Sequence, residues 1–286
     1  MTAMNIVCFG FGQVARNFIK KLNNDGVLFN LTTTSREETK IRKFENIDYQ
    51  SFHFAEKSFD KKFISKLEEA DHILLSIAPV NGVDIVIKNF QNYFKPNKLK
   101  WLTYLSATSV YGNHNGDWVD ENSEAKPTSP NGIERLKIEN EWMKLSEKFD
   151  LPFQIFRLSG IYSNQYNILT RLKLGEAKII NKKNQFFSRI HVEDIANILS
   201  NSLNQIKKNE VYNISDDKPA SAEEVAMYGI KLLGVDKPKT IEINEIESEM
   251  LKDFYKDSKK VDNQKVKEFF NYQLNPLLLP FSNGIT

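Results

Sequence analysis

Apolar and polar positions change period repeatedly along the chain, and the changes mark out short strands and amphipathic helices. Asn5–Gly10 is a short apolar run, which predicts a buried strand. Gln13–Leu22 follows with Val14, Phe18, Ile19 and Leu22 on one helical face, and Asn23, Asn24, Asp25 and Gly26 stop it. Val27–Thr33 predicts a second strand. Ser35 stands where it would cap a further helix, with Glu37 and Glu38 in a first turn that favours carboxylates. Strands are expected over Tyr49–Phe54, His72–Ile77, Trp101–Leu105 and Phe153–Leu158, and helices over Asp60–Glu69, Val83–Phe94 and Gly132–Phe149. Beyond these the pattern loosens to helices at Tyr166–Leu174, Val192–Leu203 and Ala222–Leu233 and a short strand at Val211–Ile214. Tyr111–Pro130 is polar and rich in turn residues, a long loop of the kind that in compact domains is usually functional.

Alternation of strand and helix predicts an α/β protein built on a doubly wound parallel sheet with helices on both faces. Residues 1–160 would form the main domain, and residues 161–286 a smaller substrate or partner lobe interleaved with it. In such a sheet ligands bind outside the carboxyl ends of the strands. Those ends are Gly10–Ala15, Thr34–Arg36, Ala78–Val80, Ser106–Ser109 and Ser159–Tyr162.

Composition narrows the function classes. Lys and Arg total 39 and Asp and Glu 37, and this near balance, with basic residues scattered among acids, gives no footprint for nucleic acid. Cys8 is the single cysteine, which rules out an intrachain disulfide, and its apolar surroundings predict a buried core residue. His53, His72, His114 and His191 show no spacing for a metal pair, so no metal is expected. The first ten residues carry no basic region or cleavage pattern, and no apolar stretch reaches the length of a membrane span. A cytoplasmic protein with neither membrane nor nucleic acid as partner is the expectation.

Gly10-Phe11-Gly12-Gln13-Val14-Ala15 reads G-x-G-x-x-A between a predicted strand and a predicted helix. The physical logic of that pattern is a tight turn at Gly10, close approach of backbone to a pyrophosphate at Gly12, and close helix–strand packing at Ala15. The free N–H groups of Gln13 and Val14 at the helix start would face the anion. An acidic residue at the end of the second strand would bind the ribose of NAD; here Thr34, Ser35 and Arg36 occupy it, and a guanidinium with neighbouring hydroxyls suits a 2′-phosphate. NADP is therefore favoured over NAD, although Glu37 and Glu38 lie nearby and Arg36 could simply be a solvated residue. Ala78, Pro79, Ser106 and Arg135 complete the candidate cofactor site.

These motifs, with Ser109-Val110-Tyr111-Gly112, Thr128-Ser129-Pro130, Arg157–Tyr162, Ile190–Ala196, Val211–Ile214 and Ser258-Lys259-Lys260 in that order, resemble the extended short-chain dehydrogenase/reductase family of Rossmann-type NAD-dependent epimerases and dehydratases. The likeness is greatest to its atypical members. The resemblance implies a catalytic hydroxyl, a tyrosine acid/base and a lysine, and by count these positions hold Ala107, Asn131 and Arg135. Alanine has no hydroxyl, asparagine exchanges no proton near neutrality, and arginine is fixed in charge, though Arg135 could still bond the nicotinamide ribose. Thr108 or Ser106, beside Ala107, and Tyr111 are the substitutes at hand, Tyr111 having a structural reading as well. His191 is a candidate substrate contact, and His114, Asp117 and Trp118 could cover the cofactor, while loop polarity alone would explain the first two.

Two functions follow from the resemblance. One is an NADP-dependent oxidoreductase or epimerase acting by a non-standard mechanism on a small polar, nucleotide-sugar-like substrate. The other is a non-catalytic NADP(H)-binding sensor or assembly protein. Helices such as Val83–Phe94 and Gly132–Phe149 could pair across a homodimer, as the resemblance suggests.

Overall fold

The apolar runs become the inner strands of an eight-stranded sheet in the computed structural model, which describes residues 2–274. Its strands are β1 (Met4–Phe9), β2 (Phe29–Ser35), β3 (Lys40–Phe44), β4 (Ile47–His53), β5 (His72–Leu75), β6 (Trp101–Ala107), β7 (Phe153–Leu158) and β8 (Glu210–Ile214). Their order is β8-β7-β6-β5-β1-β2-β4-β3. β1 runs parallel to β2 and β5, β5 to β6, and β2 to β4. Every residue of β5 and β7 is buried, as are Ile6, Val7, Cys8 and Phe9 of β1. Strands covered on both faces are mostly apolar and show as runs rather than as alternation, while the buried Gln154 and Arg157 of β7 pair with Thr103 and Glu139. Burial pushes the Cys8 thiol up to about 12, which leaves it a small apolar core group.

The segment after β2 departs from the pattern reading. No helix begins at Ser35, which ends β2 and accepts a hydrogen bond from the Ser51 hydroxyl at 3.2 Å. β3 instead pairs antiparallel with β4, with Phe44 opposite Ile47, so the connection is Glu45-Asn46 and Glu45 takes φ 52°. The competing interactions are visible. Phe44 packs edge-on against Phe11 at 5.5 Å, and Glu37 pairs with Arg42 at 2.6 Å rather than with a helix end.

The α-helices among the described residues are α1 (Gln13–Asn24), α2 (Phe63–Glu69), α3 (Ile85–Phe90), α4 (Pro130–Phe149), α5 (Ile168–Lys173), α6 (Val192–Ser202), α7 (Ala222–Leu233), α8 (Glu249–Lys256) and α9 (Gln264–Phe269). α3 starts later than the pattern predicts because Val80 and Val83 bond across an Asn81-Gly82 turn and Asp84 then caps the helix. The Asp84 carboxylate accepts from the Val86 and Ile87 N–H groups at 2.7 and 3.0 Å and from Trp142 Nε1 at 2.8 Å. Burial still holds its pKa above the usual range. α4 starts two residues earlier than expected, with Pro130 in the first-turn position that costs it no hydrogen bond.

The chain divides into two compact units, which it enters by turns. The first holds the residues up to Ser106 with Glu134–Arg157 and Ile195–Tyr212. Phenylalanine dominates its core: Phe9 meets Phe54, Phe63 and Phe90 at 5.9, 5.4 and 5.7 Å, and Trp142 stacks on Phe153 at 5.7 Å. The second holds Ala107–Ile133, Leu158–Asp194 and the chain from Asn213. Its apolar centre is Ile180, Phe187, Ile241, Ile246 and Tyr255. Ser221 and Glu224 form a reciprocal capping box at the start of α7, and Gly234 closes its end.

The long polar segment is pinned. Thr108–Tyr111 is a single turn of 3-10 helix, and Trp118–Val119 pairs in parallel with Lys260–Val261. The N–H groups of His114 and Gly116 both donate to the Ser258 carbonyl at 3.0 Å. Its polarity therefore serves attachment to the C-terminal segment as well as solvation.

Asp84→Ala removes two capping bonds and the Trp142 partner together. It is expected to lower stability by about 2 kcal/mol in urea unfolding, with Asp84→Asn losing less because one acceptor oxygen remains.

Candidate functional site

One candidate site lies in the first unit, at the carboxyl end of β1. Gly10 takes φ +83°, and a Cβ built on it would stand 2.7 Å from Ile77 Cγ2, so only glycine fits. The Gly10 N–H donates to Thr34 Oγ1 at 3.0 Å. Thr34 is thereby a buried positioning residue of the turn rather than an exposed ribose contact. Gly12 caps α1 without any side-chain acceptor, and a Cβ there would meet nothing within 4 Å. The space beside it is open, no acidic residue stands in the first turn of α1, and Ala15 is fully buried against the sheet. Gln13 is exposed, while the Val14 side chain packs inward and leaves its backbone at the turn.

Arg36 is exposed, and among the described residues its guanidinium makes no hydrogen bond or ion pair. Glu37, the neighbour that could neutralise it, is drawn away by Arg42 at 2.6 Å and Lys40 at 3.7 Å, which hold its carboxyl below the usual range. Ala78 is exposed and Pro79 half-buried beyond β5. Ser106 is buried, and its Oγ has no hydrogen-bond partner among the described residues. Arg135 donates from Nη1 to the Leu105 carbonyl at 3.2 Å, while its buried Nε is unpartnered there. Open space at Gly12, an uncommitted Arg36 and two buried polar atoms without partners fit a bound dinucleotide.

A separate candidate site is a cavity of about 670 Å³ in the second unit. Thr108, Ser109 and Asn131 line it, with Lys259 and the rings of Phe187 and Phe254. The two polar segments meet there because Gly132 lets α4 approach: a Cβ at Gly132 would lie 2.6 Å from the Ser109 carbonyl. Ser109 Oγ is buried without a hydrogen-bond partner among the described residues. Lys259 Nζ donates to the Gly112 carbonyl at 2.9 Å and lies 3.7 Å from Asp257, whose other oxygen accepts from Thr128 at 2.7 Å. Burial lowers the Lys259 pKa from the usual ammonium range, against the opposing pull of Asp257.

Two other sequence candidates have structural partners and lie outside the cavity lining. Tyr111 is fully buried and donates to Asn213 Oδ1 at 2.8 Å. His191 is buried just before α6, its Nδ1 accepting from the Glu193 N–H at 3.3 Å and its ring edge-on to Tyr162 at 5.1 Å. Its pKa is lowered by burial, which keeps the capping nitrogen unprotonated. No spacing rule pairs Ser109 with Lys259, because one sits in Ser109-Val110-Tyr111-Gly112 and the other lies 150 residues further along the chain.

The model of the NAD dependent epimerase/dehydratase family matches residues 10–215. The chain belongs to that family. It is similar to the "Putative UDP-glucose 4-epimerase" of Methanocaldococcus jannaschii, 27% identical over 246 residues that cover 78% of this chain and 80% of that protein. A functionally unknown conserved protein from Silicibacter pomeroyi resembles it at 30% identity and TM-score 0.82, covering 96% of this chain and 94% of that one. A dTDP-glucose 4,6-dehydratase from Bacillus anthracis, solved in complex with NAD, shares the fold at 17% identity and TM-score 0.76 over 99% of this chain and 94% of that one. Among the described residues no helix is long and apolar enough to cross a membrane.

Gly10→Ala and Gly12→Ala should separate architecture from binding. The first is expected to cost about 1–3 kcal/mol through backbone strain and collision, read in thermal melts. The second should leave the melt unchanged and weaken dinucleotide binding.

Asp216 supplies a pH prediction. Burial raises its pKa from 3.8 to about 7, although the Lys218 N–H and nearby Arg189 oppose the shift. The folded state therefore holds this proton more tightly, and the associated stability is full below the unfolded pKa and lost as pH climbs through about 7. Asp216→Asn should gain thermal stability relative to the natural protein as pH rises from about 4 to about 7, by on the order of 1 kcal/mol per pH unit at most; a constant difference across that range would refute the shift.

Proposed function

We propose that the protein binds NADP at the glycine turn and transforms a small carbonyl- or hydroxyl-bearing substrate in the second unit's cavity, without a tyrosine acid. One observation carries this reading: a single cavity gathers Thr108, the unpartnered Ser109 hydroxyl, Asn131 and the Lys259 ammonium. An unpaired buried hydroxyl costs about 1–3 kcal/mol, and a substrate oxygen would relieve it.

A bound nicotinamide supplies hydride chemistry. The chain's own residues supply position and protons. Thr108 and Ser109 orient the substrate oxygen by hydrogen bonding. Lys259 holds a proton at Nζ that its burial makes easier to release than that of a solvated lysine. Asn131 donates or accepts a hydrogen bond but transfers no proton. Arg135 stays charged and, through the Leu105 carbonyl, braces the end of β6.

NADP is preferred over NAD because Arg36 is exposed and uncommitted while Glu37 is engaged by Arg42 and Lys40. A second reading, a non-catalytic NADP(H)-binding protein, draws on Ala107 and Asn131 at the positions where the family resemblance implies a hydroxyl and a tyrosine.

Titration with NADPH and NADH, followed by cofactor fluorescence, tests the binding claim. NADPH is expected to bind more tightly, and Arg36→Ala to weaken NADPH alone by about 1–3 kcal/mol. An unchanged preference would remove Arg36 from the site. Binding of both nucleotides without turnover of any carbonyl substrate would favour the non-catalytic reading.

A further inference from the structure

The cavity is built for a ligand with little charge. Phe187 and Phe254 on its wall are stacked, with ring centroids 4.6 Å apart and planes within 5°. Leu251 and Val261 extend the apolar surface, and Phe254 is 52% exposed and Leu251 37%. Such a wall accepts a flat or apolar ring at low cost, since aromatic side chains gain from offset stacking and lose no hydrogen bonds on contact.

Its charged groups do not suit a diphosphate. Asp253 and Asp257 line the cavity, against one cation among the described residues, Lys259. That ammonium already donates to the Gly112 carbonyl and lies 3.7 Å from Asp257. No arginine lines the cavity among the described residues. Arg189 adjoins it in sequence after Ser188, but its Nη1 donates to the carbonyls of Phe187 and Ala220 at 2.9 and 3.1 Å. Enclosing the charge of a diphosphate with one lysine and no arginine, beside two carboxylates, is unfavourable.

We infer that the cavity selects an uncharged, ring-bearing carbonyl or hydroxyl compound rather than a nucleoside diphosphate sugar. The ring lies against the Phe187–Phe254 wall, and the oxygen takes the hydrogen bond that Ser109 Oγ leaves open. This rests on the reading of the cavity as the substrate site, and it departs from the nucleotide-sugar class suggested by family resemblance.

The test uses the whole protein and prodan, an uncharged naphthyl ketone whose emission moves to the blue in apolar surroundings. Saturable blue-shifted binding is expected. Phe254→Ala and Leu251→Ala, both at exposed positions, should each weaken it about three- to tenfold with unchanged thermal melts. Ser109→Ala should weaken it as well. Millimolar UDP-glucose should not displace it. Absence of saturable binding, indifference to both Phe254→Ala and Leu251→Ala, or displacement by UDP-glucose would overturn the inference. NADPH titration of the same samples separates the outcomes: NADPH binding without prodan binding refutes the ligand class alone, whereas failure of both refutes the enzyme reading too.

Discussion

The turn at Gly10 is the constraint on which the nucleotide end of this protein depends. β1 is buried on both faces, and the chain must leave it sharply to return as α1 along the sheet. The left-handed φ at Gly10 permits this, but the space above it is already filled by Ile77 and Ser76. Thr34, from the neighbouring strand, ties the Gly10 N–H, and Ser76 ties the Phe9 carbonyl. Three strands thus hold one turn. Their combined hold leaves the N-terminal end of α1 exposed, with Gly12 facing open space and no side chain competing for its N–H groups. An anion site of this type is a by-product of how the helix is aimed.

That part of the fold was legible because its signals are local. Buried parallel strands appear as apolar runs, α1 shows its four-residue apolar face, and the glycine pattern sits between them. The hairpin after β2 was illegible for the opposite reason. Ser35, Glu37 and Glu38 form a good helix start, yet the register of β3 against β4 and the Phe11–Phe44 contact join residues distant in sequence. The helix at Asp84 shows a milder case, in which a turn and a buried cap shift a boundary that periodicity alone places too early.

The cavity was the least legible element. Its groups come from around residues 108–109, 129–131, 186–188, 248–254 and 257–261, and no spacing rule connects them. By the family resemblance, the hydroxyl and tyrosine positions count to Ala107 and Asn131. The sequence could not show that the neighbouring Ser109 hydroxyl would be buried without a partner, or that Lys259 would reach the same wall. Conversely Tyr111 and His191, attractive by residue type, are engaged in internal hydrogen bonds.

Family membership and site chemistry therefore constrain different things. The family accounts for the sheet and the glycine turn. It does not carry the substrate. An aromatic stack, two carboxylates and an ammonium already bonded to a carbonyl make a different solvent for a ligand than a ring of guanidinium groups would. A tyrosine acid also needs a neighbouring cation to lower its pKa toward neutrality. On the proposed function, with Asn131 and Arg135 at the positions where the resemblance implies tyrosine and lysine, the proton would come from a group whose own burial adjusts it. Lys259 is the residue of that kind on the cavity wall, and its hydrogen bond to Gly112 fixes where the proton would be held.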